Sequence, residues 1–586
     1  MNWMQKYVGA ALLVIVVLCS TIDVSAQKSR SKKKSKPLSE KEIRESEYLF
    51  IEAEKYFTLG DYAKAHNQFL ECLEIVPNNP AAYFKLSEIA VKNEEINKAL
   101  NYALSALELD QSNKYFYLMV ANIYTEKGDF VNAAHYYEEM IAAVDGSNEY
   151  LFELAAIYLY QDKLEEALQS YNRAEDVFGV NEQTVFQKQK IYLGLNELDL
   201  AIKEGEKLID TYPGEPAYVI ALSNVLIANG KVDKAQQLIE NMLNNFPQNG
   251  QAKLILSDLY KNKGEYEKAE ELLFSAFEDS NVNPDIKVQI IAAYTQQISQ
   301  ARSLNNSNQT LEDNTIQLAL KTIELHPDEA NTFAVYADLL YALQKKEDAL
   351  KNYLQTVKLA PDNFQVWQNI FQLDSERNDV DGMIAHCEQA LELFPNQSVV
   401  HMYYGLALSQ KGEYDEAVAV LEQGKLLSSS NQYQTNIFCS LLGNAYNSLR
   451  NYAKSDKNYD EALEINPNDY QTLNNYSYYL SLRGEKLEKA EEMAQKVVKD
   501  NPGNPTYIDT YAWVLYAMGK YKDAKKQMEK VINKQGLGAV PYDHYGDILY
   551  QLGEIDKAVE QWEKARGINP ELDNIDKKIE ERRIYK

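Results

Sequence analysis

Ala65, Ala99, Ala133, Ala167, Ala201, Ala235 and Ala269 are seven alanines in succession, each 34 residues from the next. A fixed period of that length marks a stack of like units, none of which buries its apolar face alone. Frames set on these alanines begin at residues 46, 80, 114, 148, 182, 216, 250 and 284. After an insertion they resume at 330, 364, 398, 436, 470, 505 and 539. Fifteen units occupy residues 46–572 apart from short insertions, so no stretch is left for a separate catalytic domain.

Each unit reads as two helices. In the unit from 114, Tyr117, Val120, Ala121 and Tyr124 recur at helical spacing, Gly128-Asp129 interrupts them, and Ala133 and Tyr137 resume the pattern. The interruption recurs as Gly60, Gly230, Gly264, Gly412, Gly519 and Gly553, and proline ends many units, as at Pro77, Pro213, Pro361 and Pro467. Position 8 of a unit is small (Ala53, Ser87, Ala121, Gly443, Gly546), position 20 is mostly alanine, and position 24 is mostly large. Small side chains let two helix backbones approach while large ones fill the flanks, so this is a packing pattern. Much of the tyrosine content, 43 residues, falls on packing positions 11 and 17.

In these positions the chain resembles the tetratricopeptide repeat (TPR) family: small at 8, Gly at 15, Ala at 20, large or aromatic at 24, small at 27 and Pro at 32. The stretches Tyr452 to Pro467 and Gly546 to Pro570, with Ala558, Trp562 and Ala565, carry the resemblance best. Gln189, Gly205, Phe371 and Met383 depart from it, which makes the fifth and tenth units looser matches. The resemblance implies an all-α fold, an α-solenoid of about fifteen hairpins wound into a right-handed superhelix, with first helices lining its concave face. The expected organisation is a signal peptide at 1–26, a basic disordered linker at 27–45, repeats at 46–301, a loop insertion at 302–313, repeats at 314–572 and a C-terminal capping helix at 573–586. Around the insertion, the eighth unit's first helix is expected to end near Ala301 and its second to run from about Thr315 to His326, because RSLNNSNQTLED is polar.

Catalytic, cofactor and metal residues are expected to be absent. His66, His135, His326, His386, His401 and His544 show no metal-binding spacing, and no G-x-S-x-G, P-loop or dinucleotide motif occurs. Acidic pairs such as Glu165-Glu166 read as solvated helix faces. No C-x-x-C occurs among the four cysteines. Binding is the remaining class. Helix geometry puts positions 2, 5, 9 and 12 of a first helix on one face, and the family resemblance implies that this face is the binding side. That face carries Asn122, Asn224, Asp258, Asp338, Gln365, Gln368, Gln372, Asn444, Asn447, Asn474, Asp509 and Asp547, with Phe50, Phe84, Phe152 and Phe186 nearer the amino end. Amides both donate to and accept from a peptide backbone, so protein or extended-peptide partners are expected, with Gln368, Gln372, Asn444, Asn447, Asn474, Asp509, Asn224 and Asp258 as the contact residues. The lysine-and-asparagine clamp for acidic C-terminal tails is missing: Lys190 and Lys261 are isolated.

Charge excludes nucleic acid. Lys and Arg total 60 against 87 Asp and Glu, a net of −27. The one basic cluster, Lys28, Arg30, Lys32, Lys33, Lys34 and Lys36, leaves the rest of the chain still more acidic and repulsive to phosphate backbones. Residues 28–36 suit contact with an anionic membrane surface instead. Ahead of them, Lys6, the apolar run from Val8 to Cys19, and Val24-Ser25-Ala26 before Gln27 read as a secretion signal cleaved between Ala26 and Gln27. The expected site of action is a bacterial periplasm. Two alternatives stay open, a lipid anchor at Cys19 and an uncleaved N-terminal anchor. In function, the expectation is a noncatalytic scaffold or adaptor of the cell envelope; the alternative is an accessory protein of envelope polysaccharide or lipopolysaccharide synthesis or export.

Overall fold

The turn between the two helices of a repeat needs a left-handed residue, and position 15 supplies it in every unit but the eighth. Glycine does so at 60, 128, 230, 264, 412, 484, 519 and 553, with φ between 67° and 89°. Glu94, Asp162, Asn196, Gln344, Asn378 and Arg450 take the same conformation in the other units, at φ between 56° and 63°. Single backbone positions thus set where the first helix stops. Asparagine or aspartate then caps many of the helices that follow, as where the Asn79 side chain accepts from Ala82 N and that of Asp129 from Asn132 N.

The computed structural model describes residues 38–585. The signal segment, Ala26 and Gln27, Cys19 and the basic residues 28–36 lie outside the described residues. Among the described residues the chain is all-α, running from α1 (Glu40–Thr58) to α31 (Ile575–Glu581) with one 3₁₀ turn at Ser147–Tyr150. Packing divides the chain into two compact units, Met1–Met242 and Leu243–Lys586. The division falls inside the sixth repeat and not at the insertion. Each unit is an α-solenoid in which a helix packs on its successor. Their cores are accordingly a series of local clusters. One in the first unit extends from Ala90 to Ala174, and one in the second from Tyr459 to Ile575.

Hairpin packing is a volume match between positions 8 and 24. Gly443 faces Tyr459, where a Cβ would come within 2.6 Å of the ring. Gly546 faces Trp562, where it would come within 2.4 Å. The match runs the other way where the pattern looked loose. In the fifth unit position 8 is the buried Gln189, whose Nε2 donates to Ala201 O at 3.0 Å, and position 24 is Gly205. A Cβ on Gly205 would lie 3.0 Å from that same amide. The tenth unit sets buried Phe371 at position 8 against Cys387 at position 24. These units are as closely packed as the rest, with large and small exchanged.

Two expected boundaries are corrected. α1 begins at Glu40, within the stretch read as a disordered linker, because Ser39 and Glu42 form a capping box. The insertion is mostly helix. α15 (Pro284–Ser303) runs on through Ile298, the residue that position 15 would occupy, and α16 (Gln309–Leu325) starts well before Thr315. Only residues 304–308 separate them. Asn308 caps α16, and Glu312, 3% exposed, takes a bidentate contact of 2.8 and 2.7 Å from Arg302. Residues read as a polar loop therefore form an N-cap and a charge-assisted clasp between two lengthened helices.

Candidate functional site

The first-helix face is built one residue past the packing seam, since position 9 follows the small residue at position 8. From there its side chain reaches the tip of the position-24 residue on the second helix. Tyr137 Oη donates to Asn122 Oδ1 at 3.4 Å, and Tyr353 Oη to Asp338 Oδ1 at 2.5 Å. Tyr459 Oη donates to Asn444 Oδ1 at 2.6 Å, and Trp562 Nε1 to Asp547 Oδ1 at 3.0 Å. All four donors are buried. A buried O–H or N–H left unpaired costs about 1–3 kcal/mol, so these position-9 groups hold the hairpin before they can serve a ligand. Where position 24 is Ile239 or Leu273, with no donor to offer, Asn224 and Asp258 lack that tie; they are exposed, as Asn122 and Asp338 also are. Desolvation by the neighbouring walls raises the carboxyls of Asp258 and Asp338 above their ordinary range.

The eight expected contact residues therefore fall into three groups. Asn224 and Asp258 are open, as is Gln372, whose Nε2 donates to Tyr341 Oη and Glu376 Oε1, both at 2.9 Å. Gln368 is half-buried one turn before it on α19 (Phe364–Arg377). Asn444 and Asn447 are half-buried on α23 (Gln432–Ser448), Asn444 tied to Tyr459 and Asn447 with its Oδ1 buried and unpaired. Asn474 and Asp509 are buried outright. The amide run Asn444, Asn447 and Asn474 is thus largely interior, and Asn475, not Asn474, reaches Asn444, at 3.4 Å. Asn444→Ala should lower the stability of its repeat by about 1–3 kcal/mol, because it strands the Tyr459 hydroxyl. Urea unfolding checks this, and an unmoved midpoint would contradict the tie.

The aromatic side chains expected on the same face at the amino end also serve packing. Phe50, Phe84 and Phe152 are half-buried, with ring centroids 5.4 Å from Phe69, 5.3 Å from Phe116 and 6.1 Å from Phe178. Phe186 alone of the four is exposed.

At the carboxyl end the face closes on itself. His544 is buried with Nδ1 at 3.1 Å from both oxygens of Asp509, and its ring stacks 3.9 Å from Trp513. Burial alone would lower the imidazole, but Asp509, with Asp543 and Asp547 behind it, outweighs that and raises it. Lys578, on α31, sits where a sixteenth repeat would place its first helix. Its Nζ lies 2.8–3.0 Å from the carboxylate oxygens of Asp543 and Asp547. Sequence reasoning missed these ties, although an acceptor fifteen residues ahead of a Tyr or Trp is a readable signal for the first kind. Among the described residues no group of three His, Cys, Asp or Glu could hold a metal, and no helix is long and apolar enough to cross a membrane.

Models of the tetratricopeptide repeat match residues 118–178, 226–288 and 438–469. A TPR repeat-containing protein of Pseudomonas aeruginosa is 21% identical over 208 residues, 34% of this chain and 34% of that protein. The chain thus spans about a third of the length of the curated relative it matches. Among solved structures, a tetratricopeptide repeat protein from Parabacteroides merdae overlaps 43% of this chain and 98% of its own, at 16% identity and a TM-score of 0.38. The APC/C hetero-tetramer Cut9-Hcn1 overlaps 80% of this chain and 96% of that one, at 13% identity and a TM-score of 0.30. Naa15/Naa10 bound to HypK-THB overlaps 92% and 96%, at 12% identity and a TM-score of 0.29.

Proposed function

Because this chain is a member of the tetratricopeptide repeat family, we propose that it is a noncatalytic scaffold that holds protein partners on its first-helix face. The observation that carries the reading is the division of labour at position 9. Asn122, Asp338, Asn444 and Asp547 spend an acceptor on closing their own hairpins, whereas Asn224, Asp258 and Gln372 are exposed and not tied to their position-24 residues. Surface amides with capacity beyond their hairpin, such as Asn224 and the Gln372 carbonyl oxygen, can pair with a partner's backbone. Export to the bacterial cell envelope is part of the proposal. It is supported by the run from Val8 to Cys19 and the Val24-Ser25-Ala26 site, with the cluster at 28–36 against anionic lipid.

One experiment tests both parts. A photo-crosslinking amino acid is placed at Asn224, at Gln372 or at Lys457, which is exposed on the second helix α24 (Tyr452–Ile465). Crosslinked chains are recovered from cells and weighed intact. The proposal expects adducts of a defined protein from Asn224 and Gln372, none from Lys457, and a mature chain starting at Gln27. Adducts from Lys457 alone would overturn the groove assignment. A chain starting at Cys19 with acyl mass, or still carrying residue 1, would overturn cleavage at Ala26.

A further inference from the structure

α15 is 20 residues long, while α17 (Ala330–Ala342) and α19 beside it have 13 and 14. Its extra length builds a wall along one segment of the first-helix face. Beneath the wall lies an open cavity of about 1200 Å³, reached by Thr295, Gln296 and Ser299 from α15 and by Asp338 and Tyr341 from α17. A second cavity of about 220 Å³ continues toward α19, and it too is lined by Asp338 and Tyr341, with Gln372 on its far side. The Thr295 hydroxyl is buried and without a partner.

Two charged residues line these cavities, Arg302 and Asp338, and only Arg302 is matched. Arg302 is clasped by Glu312, and Glu376 takes Lys346 at 2.9 Å and the Tyr341 hydroxyl at 2.7 Å. Among the described residues no cation lies within ion-pair distance of Asp338, whose Oδ1 accepts from Tyr353. The molecule itself shows what such a carboxylate takes. Asp547 is the same repeat position, tied to its own position-24 donor Trp562, and its remaining capacity is filled by the Lys578 ammonium. In the ninth repeat the neighbouring first helix brings Gln372 and no lysine.

We propose that the segment formed by α15, α17 and α19 binds an extended peptide through one lysine or arginine side chain seated on Asp338. The amides and hydroxyls of Gln296, Ser299 and Gln372 pair with that peptide's backbone. This deepens the scaffold reading and rests on it. Apart from Arg302, which also lines the larger cavity but is held by Glu312, the walls carry uncharged donors and acceptors on either side of a single carboxylate, which fits a neutral main chain with one cation. An acidic or wholly apolar segment would leave Asp338 opposed or desolvated without a counter-charge.

The test uses a phage-displayed library of random 12-residue peptides selected on the full chain, followed by fluorescence titration of the enriched peptides. The expected result is peptides sharing a Lys or Arg, whose affinity falls at least tenfold with Asp338→Asn. That variant keeps the acceptor for Tyr353, so the hairpin tie survives. Ser299→Trp, which fills the cavity from the opposite wall and leaves the tie untouched, should weaken the same peptides, while Asp258→Asn in another repeat should not. Enriched peptides without a basic residue, or peptides that bind Asp338→Asn as well as wild type, would overturn the proposal. Failure to enrich any peptide would overturn it as well, leaving the scaffold reading to its own crosslinking test. Peptides that depend on Asn224 or Asp258 instead would sink this site and support the general groove.

Discussion

Trp562→Ala is expected to destabilise the last two repeats by about 4 kcal/mol, seen as roughly thousandfold faster amide exchange in residues 505–581. Trp562 is fully buried and is among the largest interior side chains. Its indole covers Gly546 so closely that even a Cβ there would collide, which leaves no neighbour able to collapse into the space. Large-to-small changes at such sites cost about 3–5 kcal/mol. The variant also takes the Nε1 donor from Asp547, a carboxyl that burial already holds above its ordinary range despite Lys578. Repeats interact mainly with their neighbours, so exchange in Met1–Met242 should not change. Trp562→Phe separates the contributions: it retains most of the apolar volume, loses the N–H, and should cost about 1–2 kcal/mol. Equal losses from the two variants would show that the hydrogen bond, not the volume, dominates.

A second large effect is expected at Lys188, whose side chain has no solvent exposure. Its Nζ contacts Glu175, lies 2.8 Å from Glu204 and 3.2 Å from Asn172 Oδ1, while Lys207 holds the other oxygen of Glu175 at 2.5 Å. Burial by itself would lower the Lys188 ammonium and raise the Glu175 carboxyl. The two glutamates outweigh it for the lysine, which is raised, and the two lysines outweigh it for Glu175, which is lowered. Lys188→Ala leaves half of Glu175 without counter-charge and Glu204 with only Lys207, 3.9 Å away, and breaking a buried pair from one side costs about 3–5 kcal/mol. The pH dependence carries the sign. A lowered carboxyl in the folded state contributes stability above the ordinary glutamate pKa of about 4.3 and loses it as pH falls through the folded value. Wild type should therefore weaken on acidification through Glu175. The gap between wild type and Lys188→Ala should narrow below about pH 4.3, as Glu175 becomes protonated and no longer needs the lysine. Urea titrations at neutral and acid pH measure both, and a gap that widens in acid would contradict the assignment.

How far the fold could be read from the sequence follows from the kind of contact involved. Ala65 to Ala269 at one spacing, with glycine at position 15, set the hairpins because those residues act on their own backbone. Gln189 with Gly205, and Phe371 with Cys387, looked like departures because each residue was weighed alone. The pairing rule appears only when positions 8 and 24 face each other. The insertion departs from its composition for a related reason. Composition marked 302–313 as polar, yet Asn308 as a cap and Arg302 with Glu312 as a clasp give those polar groups helical work. Asn474 fell to helix phase alone, which cannot tell a groove residue from one covered by the next repeat. Asn224, Asp258 and Gln372 are legible as surface groups because the residues beside them leave them uncovered, although Tyr341 and Glu376 take the Gln372 amide donor.

The central claim is that partners are held by the hydrogen-bonding and charge capacity of first-helix residues that hairpin closure leaves over. It is tested most directly by titrating the protein captured through Asn224 or Gln372 against purified variants. The account predicts that Asn224→Ala with Gln372→Ala weakens binding by about 2 kcal/mol or more, with the urea midpoint unchanged and Lys457→Ala without effect. Undiminished affinity in the double variant, or an equal loss from Lys457→Ala, would contradict it.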